Sequence, residues 1–359
     1  MKKRKIKKKI VFLFLIIILL LVTSACGVYV YLSSPVDKNS KAIIQVEIKS
    51  GMNSSQIGNM LYKKRLIRSK ILFKLKIKAK KYTLKASTYE LKKTMNLNEV
   101  INVIAKGNSY NPNSVRITFK EGQTVKKYAK LISDKTNNSY DEVVNLINDP
   151  DFLNTCIEKY WFIDNDILDP SIYYKLEGYL APDTYEFNDK TTDAITIITD
   201  MLDEMDKKLT PLKEEIGNSG KKTHEILTLA SIVELEGTNS ENRKMIAGVF
   251  YNRLNIGMNL GSDVTTYYGL QEDMTDDLTQ EQFNEENMYN TRAQRMAGRL
   301  PVGPICNSSV EAIEAVLNPT ESEYFYFVAD KNKKIYYSKT GEEHMRKVKE
   351  IKEAGNWLW

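Results

Sequence analysis

Two carboxylates, Glu234 and Glu236, close an otherwise apolar stretch, "EILTLASIVELEG", which runs from Glu225 to Gly237. A carboxylate leaves water at a cost unless it is paired or used. On a helix, Glu234 shares a stripe with Leu227, Ala230 and Ser231, and Glu236 shares one with Leu229, Ile232 and Val233. Both stripes are apolar, so periodicity does not rank the two acids. Two readings fit. A helix end breaking surface leaves both acids solvated before Gly237. A desolvated acid with a raised pKa instead donates a proton near neutral pH. A sugar ether oxygen is a natural recipient, because a glycosidic bond breaks when its leaving oxygen is protonated.

Other chemistries find less support. The histidines are His224 and His344, with no His-x-x-x-His pair, and no two cysteines have metal-ligand spacing. No metal and no cofactor is expected. Cys306 in "GPICNSS" could pair with His344 as nucleophile and base, but a buried, inert cysteine fits the apolar, proline-flanked context better. "SGKK" (Ser219–Lys222), "SDV" (Ser262–Val264) and "KTG" (Lys339–Gly341) occur in the order of the penicillin-binding serine motifs. Gly220 breaks the helical turn that Ser219 and Lys222 need, and Val264 stands where an amide belongs.

The front of the chain speaks to location. Residues 2–9 carry seven Lys and Arg, and Ile10–Leu32 carries no charge. At ~1.5 Å per residue that run spans about 34 Å as a helix, enough for a hydrocarbon core. The expectation is a cytoplasmic basic tail (1–9), a transmembrane helix (10–32) in the lipid bilayer, and an extracytoplasmic remainder at the cell membrane. A cleaved leader would have a shorter apolar run, and Thr23 is a poor match for lipoprotein processing at Cys26. The net charge is +6, but beyond the tail the sum is about −1, so the basic pI describes the anchor and no nucleic acid is expected. From Leu61 to Lys85 eleven Lys and Arg occur with no acid. That run reads as a solvated face, or as attraction to anionic head groups or wall polymers. Cys26, Cys156 and Cys306 form no evident disulfide framework.

The elements that must position the acids follow. After a linker (33–42), Val46 and Ile48 alternate as in a strand, Gly51 turns, and Ser54 can cap a helix carrying Ile57 and Leu61. The pattern returns with Ile117 and Phe119, Gly122, a Thr124 cap, Tyr128 and Ile132. This weak internal repeat points to two small α+β modules. "SKILFKLKIKAKKYT" reads as a helix capped by Ser69 with Ile71, Leu72, Leu75 and Ala79 on its face. A helical region from Asp141 to Asp206 is interrupted by "KLEGYLAPDTYEF". Thr223 or Ser219 can cap the helix that carries the acids, and "DVTTYYG" reads as a short strand or loop. "SSVEAIEAVLNP" is a helix with a Ser308–Glu311 capping box, "EYFYFVADKNKKIYYSKT" is a hairpin, and a last helix runs from Glu342 to Trp357. Segregated strands and helices argue α+β. The expected regions are a module at 43–110, a second α+β, largely helical region at 111–220, and a catalytic domain at 221–359.

The motifs "LASIVELEG", "NRKMIAGVFYNRLNIGMNLGSDVTTYYG", "YNTR", "LPVGPICN", "YFYFVAD" and "EEH", with "LEGYLAPDTYEF" upstream, resemble the YceG-like (MltG) endolytic murein transglycosylases, in order along nearly the whole exported chain. The resemblance implies an enzyme that cuts peptidoglycan glycan strands internally, between N-acetylmuramic acid and N-acetylglucosamine, leaving a 1,6-anhydro end. It implies Glu234 as catalytic acid and base. It places Asp263 and Thr265, then Tyr289, Asn290 and Thr291, then Glu343 and His344, along the groove. It also implies a LysM-like module around Gly51 and association with peptidoglycan synthases, the enzyme ending strand elongation. Departures occur at Gly261 (usually glutamine), Val264 (proline), Ser308–Ser309 (Pro-Gly) and Met345 (asparagine). The alternatives are a non-catalytic wall-binding scaffold, or a hydrolase in which Glu236 or Asp263 is a second carboxylate.

Overall fold

Gly51 and Gly122 both lie in the left-handed region, at φ +84° and +72°. Each turns a strand into a helix at a point where a side chain would be strained. This computed structural model describes residues 23–24, 26–49, 51–107 and 114–357. The chain divides into two units, Met1–Ser114 and Val115–Trp359.

In the first unit the order is β1 (Ile43–Ile48), α1 (Ser54–Lys63), α2 (Lys70–Lys80), β2 (Ser87–Lys92) and α3 (Leu97–Lys106). The strands pair antiparallel, with Val46 opposite Tyr89. Val46, Ile48, Tyr89 and Leu91 bury one face of the pair, as the alternation predicts. Asn53, not Ser54, caps α1: its side chain accepts from Ser55 and Gln56 N–H at 3.0 Å, while Gln56 Oε1 accepts from Asn53 N–H at 2.8 Å. Ser69 does cap α2. The face it buries differs from the expected one. Phe73 and Ile77, one turn apart, enter the core, while Ile71 and Leu75 are 68% and 58% exposed. The reason is local. Gly58 on α1 leaves room for the Phe73 ring, and a Cβ there would stand 3.0 Å from Phe73 Cδ1. Burying such a ring contributes about 1.5–3 kcal/mol.

The second unit begins with β3 (Val115–Phe119), α4 (Val125–Lys135), α5 (Tyr140–Ile147) and α6 (Pro150–Lys159). It continues through β4 (Asp183–Phe187) and α7 (Ala194–Leu209) to α8 (Thr223–Glu236), α9 (Ser240–Asn255) and α10 (Asp263–Leu270). It ends with α11 (Val310–Leu317), β5 (Tyr326–Ala329), β6 (Ile335–Ser338) and α12 (Gly341–Glu353). Strand β4, from "KLEGYLAPDTYEF", pairs antiparallel with β3, and Phe119 meets the Tyr185 ring edge-on at 5.8 Å. Thr124 caps α4 through Lys127 N–H at 3.3 Å. A single hydrophobic core includes Tyr128, Leu180, Ile198, Leu229, Phe250 and Ile313, so the expected 220/221 boundary falls inside it. Helix α8 packs against α9, α10 and α11, which supply the neighbours of its two acids.

Four boundaries shift from expectation. Neither Thr223 nor Ser219 caps α8; the N-cap is Lys222, whose N–H donates to Glu225 Oε2 at 2.9 Å. "DVTTYYG" is helical (α10), because the Thr265 and Thr266 hydroxyls find buried partners that override their strand propensity. Ser309, not Ser308, caps α11 by accepting from Ala312 N–H at 3.2 Å, and Glu311 turns to Arg243 instead of closing a capping box. Helix α12 starts at Gly341 and stops at Glu353. The β5–β6 hairpin forms as predicted, with Phe327 opposite Tyr337. Among the described residues the sheets are three antiparallel pairs, and the class is α+β. The expected span at 10–32 lies mostly outside the described residues. Among those described, no helix is long and apolar enough to cross a membrane.

Candidate active site

Helix α8 is buried from Ile226 to Val233 and reaches solvent at its two ends: Glu225 is exposed in the first turn, and both acids stand at the last. Gly237 follows. A Cβ there would lie 2.5 Å from Arg243 Cγ and 3.1 Å from Arg243 Cα, so the missing side chain lets α9 cross close to the end of α8. That crossing brings Arg243 to Glu234. The Glu234 side chain is 7% exposed; its Oε1 accepts from Arg243 Nη2 at 2.8 Å. Its Oε2 accepts from Ser309 N–H at 3.1 Å and from Ser309 Oγ at 2.5 Å. Arg243 also donates to Glu311 Oε2 at 3.0 Å. Three charge-assisted bonds therefore fix a carboxylate almost out of water. It opens into a cleft of about 360 Å³ whose walls include Glu121, Pro182, Lys208, Arg243 and Glu311.

Glu236 faces other partners. Its Oε1 accepts from Ser262 Oγ at 2.6 Å. Burial pushes its pKa up against the lowering bond from Ser262; Asp263 adds to the rise, while Arg253 and Arg292 oppose it. Asp263 is exposed and pairs with Arg292. Thr265, Tyr289, Asn290 and Thr291 are fully buried. The hydroxyls of Thr265 and Thr291 lie 2.8 Å apart; Thr291 Oγ1 accepts from Ser262 N–H at 3.1 Å, and Thr265 Oγ1 donates to Ser262 O at 2.6 Å. Asn290 accepts from Thr266 Oγ1 at 2.8 Å and donates to Glu285 O at 2.6 Å. Tyr289 packs on the rings of Tyr268 and Tyr173, at 4.8 and 4.9 Å. Together these side chains pin the loop that holds Ser262 against Glu236.

The last two expected positions sit apart from Glu234's own contacts. Glu343 accepts from Lys339 N–H at 2.9 Å and closes the N-terminus of α12. His344 stacks on Tyr326 at 5.4 Å, and burial lowers its pKa, helped by Arg253. The Arg253 guanidinium lies over the Tyr326 ring, 5.4 Å from its centroid. Cys306 is buried, its thiol pushed up by that burial and directed at Ser231 O, 3.3 Å away. Arg243, Ser309 and Glu311 are the neighbours that residue types alone did not single out. Arg243 lies in the quoted "NRKMIAGVFYNRL" stretch, and Ser309 is one of the departures.

A second buried acid, Glu177, ties the scaffold together. Its two oxygens accept from Val125 N–H at 2.9 and 3.1 Å; Tyr268 OH is 3.1 Å from Oε2 and Asn307 Nδ2 is 3.1 Å from Oε1. Asn307 in turn accepts from Gly178 and Leu180 N–H at 3.0 and 3.1 Å, and Gly122 N–H donates to its carbonyl at 2.8 Å. Thus "KLEGYL", the Gly122 turn and the loop leading to Ser309 share one polar node. Burial raises the Glu177 pKa to about 8, against the lowering bonds from Val125, Tyr268 and Gly178. When the carboxyl is protonated, the Tyr268 hydroxyl can accept as readily as it donates. A carboxyl raised on folding binds its proton more tightly folded than unfolded. Its stabilisation is therefore complete below about pH 4.3, the unfolded value, and is lost as pH rises towards about 8. Urea unfolding between pH 5 and 8 is expected to show stability falling by up to about 1.4 kcal/mol per pH unit. Glu177→Gln should flatten that slope; an equally steep slope in the variant would exclude Glu177 as its source.

Residues 46–350 match the model of the YceG-like family. A protein of Streptococcus pneumoniae named endolytic murein transglycosylase is 35% identical over 337 residues, covering 88% of this chain and 60% of that protein. The chain thus spans about 60% of the length of the pneumococcal relative. A Bacillus subtilis protein of the same name is 33% identical over 330 residues, covering 90% of this chain and 89% of that one. The crystal structure of a YceG-like protein from Listeria monocytogenes superposes with a TM-score of 0.61 at 36% identity, covering 86% of this chain and 99% of that chain. Matching along nearly the whole chain, rather than over one motif, this protein belongs to the YceG-like family.

Proposed function

We propose that the chain is a membrane-anchored endolytic lytic transglycosylase acting on peptidoglycan glycan strands, with Glu234 as its acid and base. The observation that carries this reading is the nearly buried Glu234 carboxylate at the wall of a cleft, held by Arg243 and Ser309. The names of the relatives supply the substrate class. In the first step the protonated Glu234 gives its proton to the bridging oxygen of the leaving N-acetylglucosamine, and the C1–O bond of N-acetylmuramic acid breaks. In the second, the carboxylate takes the proton of the C6 hydroxyl as O6 bonds to C1, closing the 1,6-anhydro ring. No water is consumed. Ser309 and Arg243 stabilise the carboxylate between the steps, and Glu311 offers Arg243 another anion while Glu234 carries the proton.

Residues 10–32 serve in this reading as a single-pass anchor with the N-terminus cytoplasmic. The module at 43–110 is LysM-like and wall-binding, and cleavage next to peptidoglycan synthases ends strand elongation. The test is mass spectrometry of fragments made from purified peptidoglycan. Ends lighter by one water than hydrolysis products support a transglycosylase. The second reading, a two-carboxylate hydrolase, is favoured by one observation: Glu236 has a pKa raised by burial and lies near Asp263. Fully hydrated reducing ends, lost on Glu236→Gln, would establish it. Wall binding without any cleavage would leave a scaffold.

A further inference from the structure

The turn whose Glu121 lines the catalytic cleft also carries Gly122 into a second cavity, of about 510 Å³. That volume falls in the range of about 300–1,000 Å³ usual for small-ligand sites. Its walls hold four tyrosines. Tyr140, Tyr174 and Tyr267 are half-buried, and Tyr268 is buried. The walls also carry the amide and hydroxyl side chains of Gln123, Thr124 and Gln271. Gln271 Nε2 donates to Tyr268 O at 2.9 Å, while its Oε1 is only 3.5 Å from the Tyr174 hydroxyl, a weak contact that a ligand can replace. At the rim, Lys127 lies 3.6 Å from Asp273, and Lys126 has no ion pair among the described residues.

Rings and amides lining one cavity suit a ligand that is apolar on its faces and polar on its edges. A pyranose ring is such a ligand, since its C–H face stacks on an aromatic ring while its hydroxyl and acetamido groups bond at the edge. An acyl chain would offer nothing to Gln271 Oε1, whose contact with Tyr174 is weak, whereas a sugar hydroxyl or amide can donate to it. The cavity is also close to the chemistry. A Cβ on Gly122 would lie 3.8 Å from Glu234 Cγ. We propose that this cavity binds N-acetylated amino-sugar rings of the uncut strand, beyond the bond that breaks. The proposal rests on the reading of the chain as a glycan-cleaving enzyme, and it adds a subsite that an internal cut requires: the strand must be held away from its ends.

The test uses the full chain in lipid nanodiscs. In a Glu234→Gln background, a peptide-free tetrasaccharide of alternating N-acetylglucosamine and N-acetylmuramic acid is titrated by calorimetry. Tyr140→Ala and Tyr174→Ala are each expected to weaken binding by about tenfold, and Tyr140→Phe, which keeps the ring, by no more than about twofold. With Glu234 intact, the two alanine variants should raise KM for long strands and leave kcat within about twofold, because only uniform binding is lost. Thermal midpoints check that each variant is folded. Native-like binding and KM in both alanine variants, alongside normal cleavage, overturn the subsite and leave the enzymatic reading standing. If the native chain cuts no glycan and binds no tetrasaccharide, both fall. Co-purified lipid that the alanine variants release, with sugar binding unchanged, overturns the subsite in favour of a lipid pocket.

Discussion

Glu234→Gln is expected to lower glycan cleavage by about 10³-fold while leaving the protein folded, measured as anhydro ends released per unit time. Glutamine keeps the shape of the side chain and one acceptor oxygen, so Ser309 still has a partner on the end of α8. What it loses is the transferable proton. In a mechanism where one carboxyl first gives and then takes a proton, both steps stop together. The measurement distinguishes the acids as well as the mechanism. Glu236 is bonded to Ser262 and set within the Thr265–Thr291 clamp, so Glu236→Gln should disturb the loop without abolishing cleavage. Retention of near-native rates by Glu234→Gln, in a folded protein, would remove Glu234 from the chemistry. It would transfer the role to Glu236, whose pKa burial raises.

The second large effect belongs to Arg243. Its side chain is 14% exposed and its partner Glu234 7%, so removing the guanidinium leaves an anion uncompensated nearly out of water. Breaking such a pair costs about 3–5 kcal/mol. At roughly 2–4 °C per kcal/mol for a unit of this size, Arg243→Ala should lower the thermal midpoint visibly. It should also lower cleavage by about 10²-fold, since the carboxylate loses one of the groups that orient it. Arg243→Lys keeps the charge but not the fork that reaches Glu234 and Glu311 at once, and should fall between the two. A double-mutant cycle separates pairing from packing against Gly237. In the Glu234→Gln background, where no anion needs compensation, Arg243→Ala should cost much less. Equal costs in both backgrounds would show that Arg243 acts through its stem alone.

These two residues illustrate how far the sequence reads. Glu234 and Glu236 were both visible as charges at the end of an apolar helix, and only the family resemblance ranked Glu234 first. Arg243 was not visible, because an arginine on the first turns of a polar-looking helix has the same sequence signature whether it faces water or an acid. The signal lay in Gly237, whose lack of a side chain lets the helices cross, but a glycine after a helix usually reads as a plain stop. Ser309 was visible only as a departure from a family motif, and it stands against the Glu234 carboxylate. Thr265, Asn290 and Thr291 show the converse. The family resemblance drew attention to them, yet their side chains are wholly buried, Thr265 bonding to Thr291 and Asn290 to Thr266.

Local chemistry by itself determined much of this protein. Alternation set β1 and β3, left-handed glycines set the turns after them, Ser69 and Thr124 capped their helices, and the hairpin near the C-terminus formed where polar residues separate two aromatic runs. These features rest on interactions within a few residues, which sequence displays directly. Only the tertiary structure decided which face of α2 is buried, that "DVTTYYG" is a helix, and which partners each glutamate of α8 receives. Those outcomes depend on groups distant in the chain: Gly58 making room for Phe73, Thr291 reaching Thr265, and Ser309 reaching Glu234 across 75 residues of sequence. A side chain's partner at that separation is fixed by how the helices cross, and the crossing is set by packing summed over the whole core.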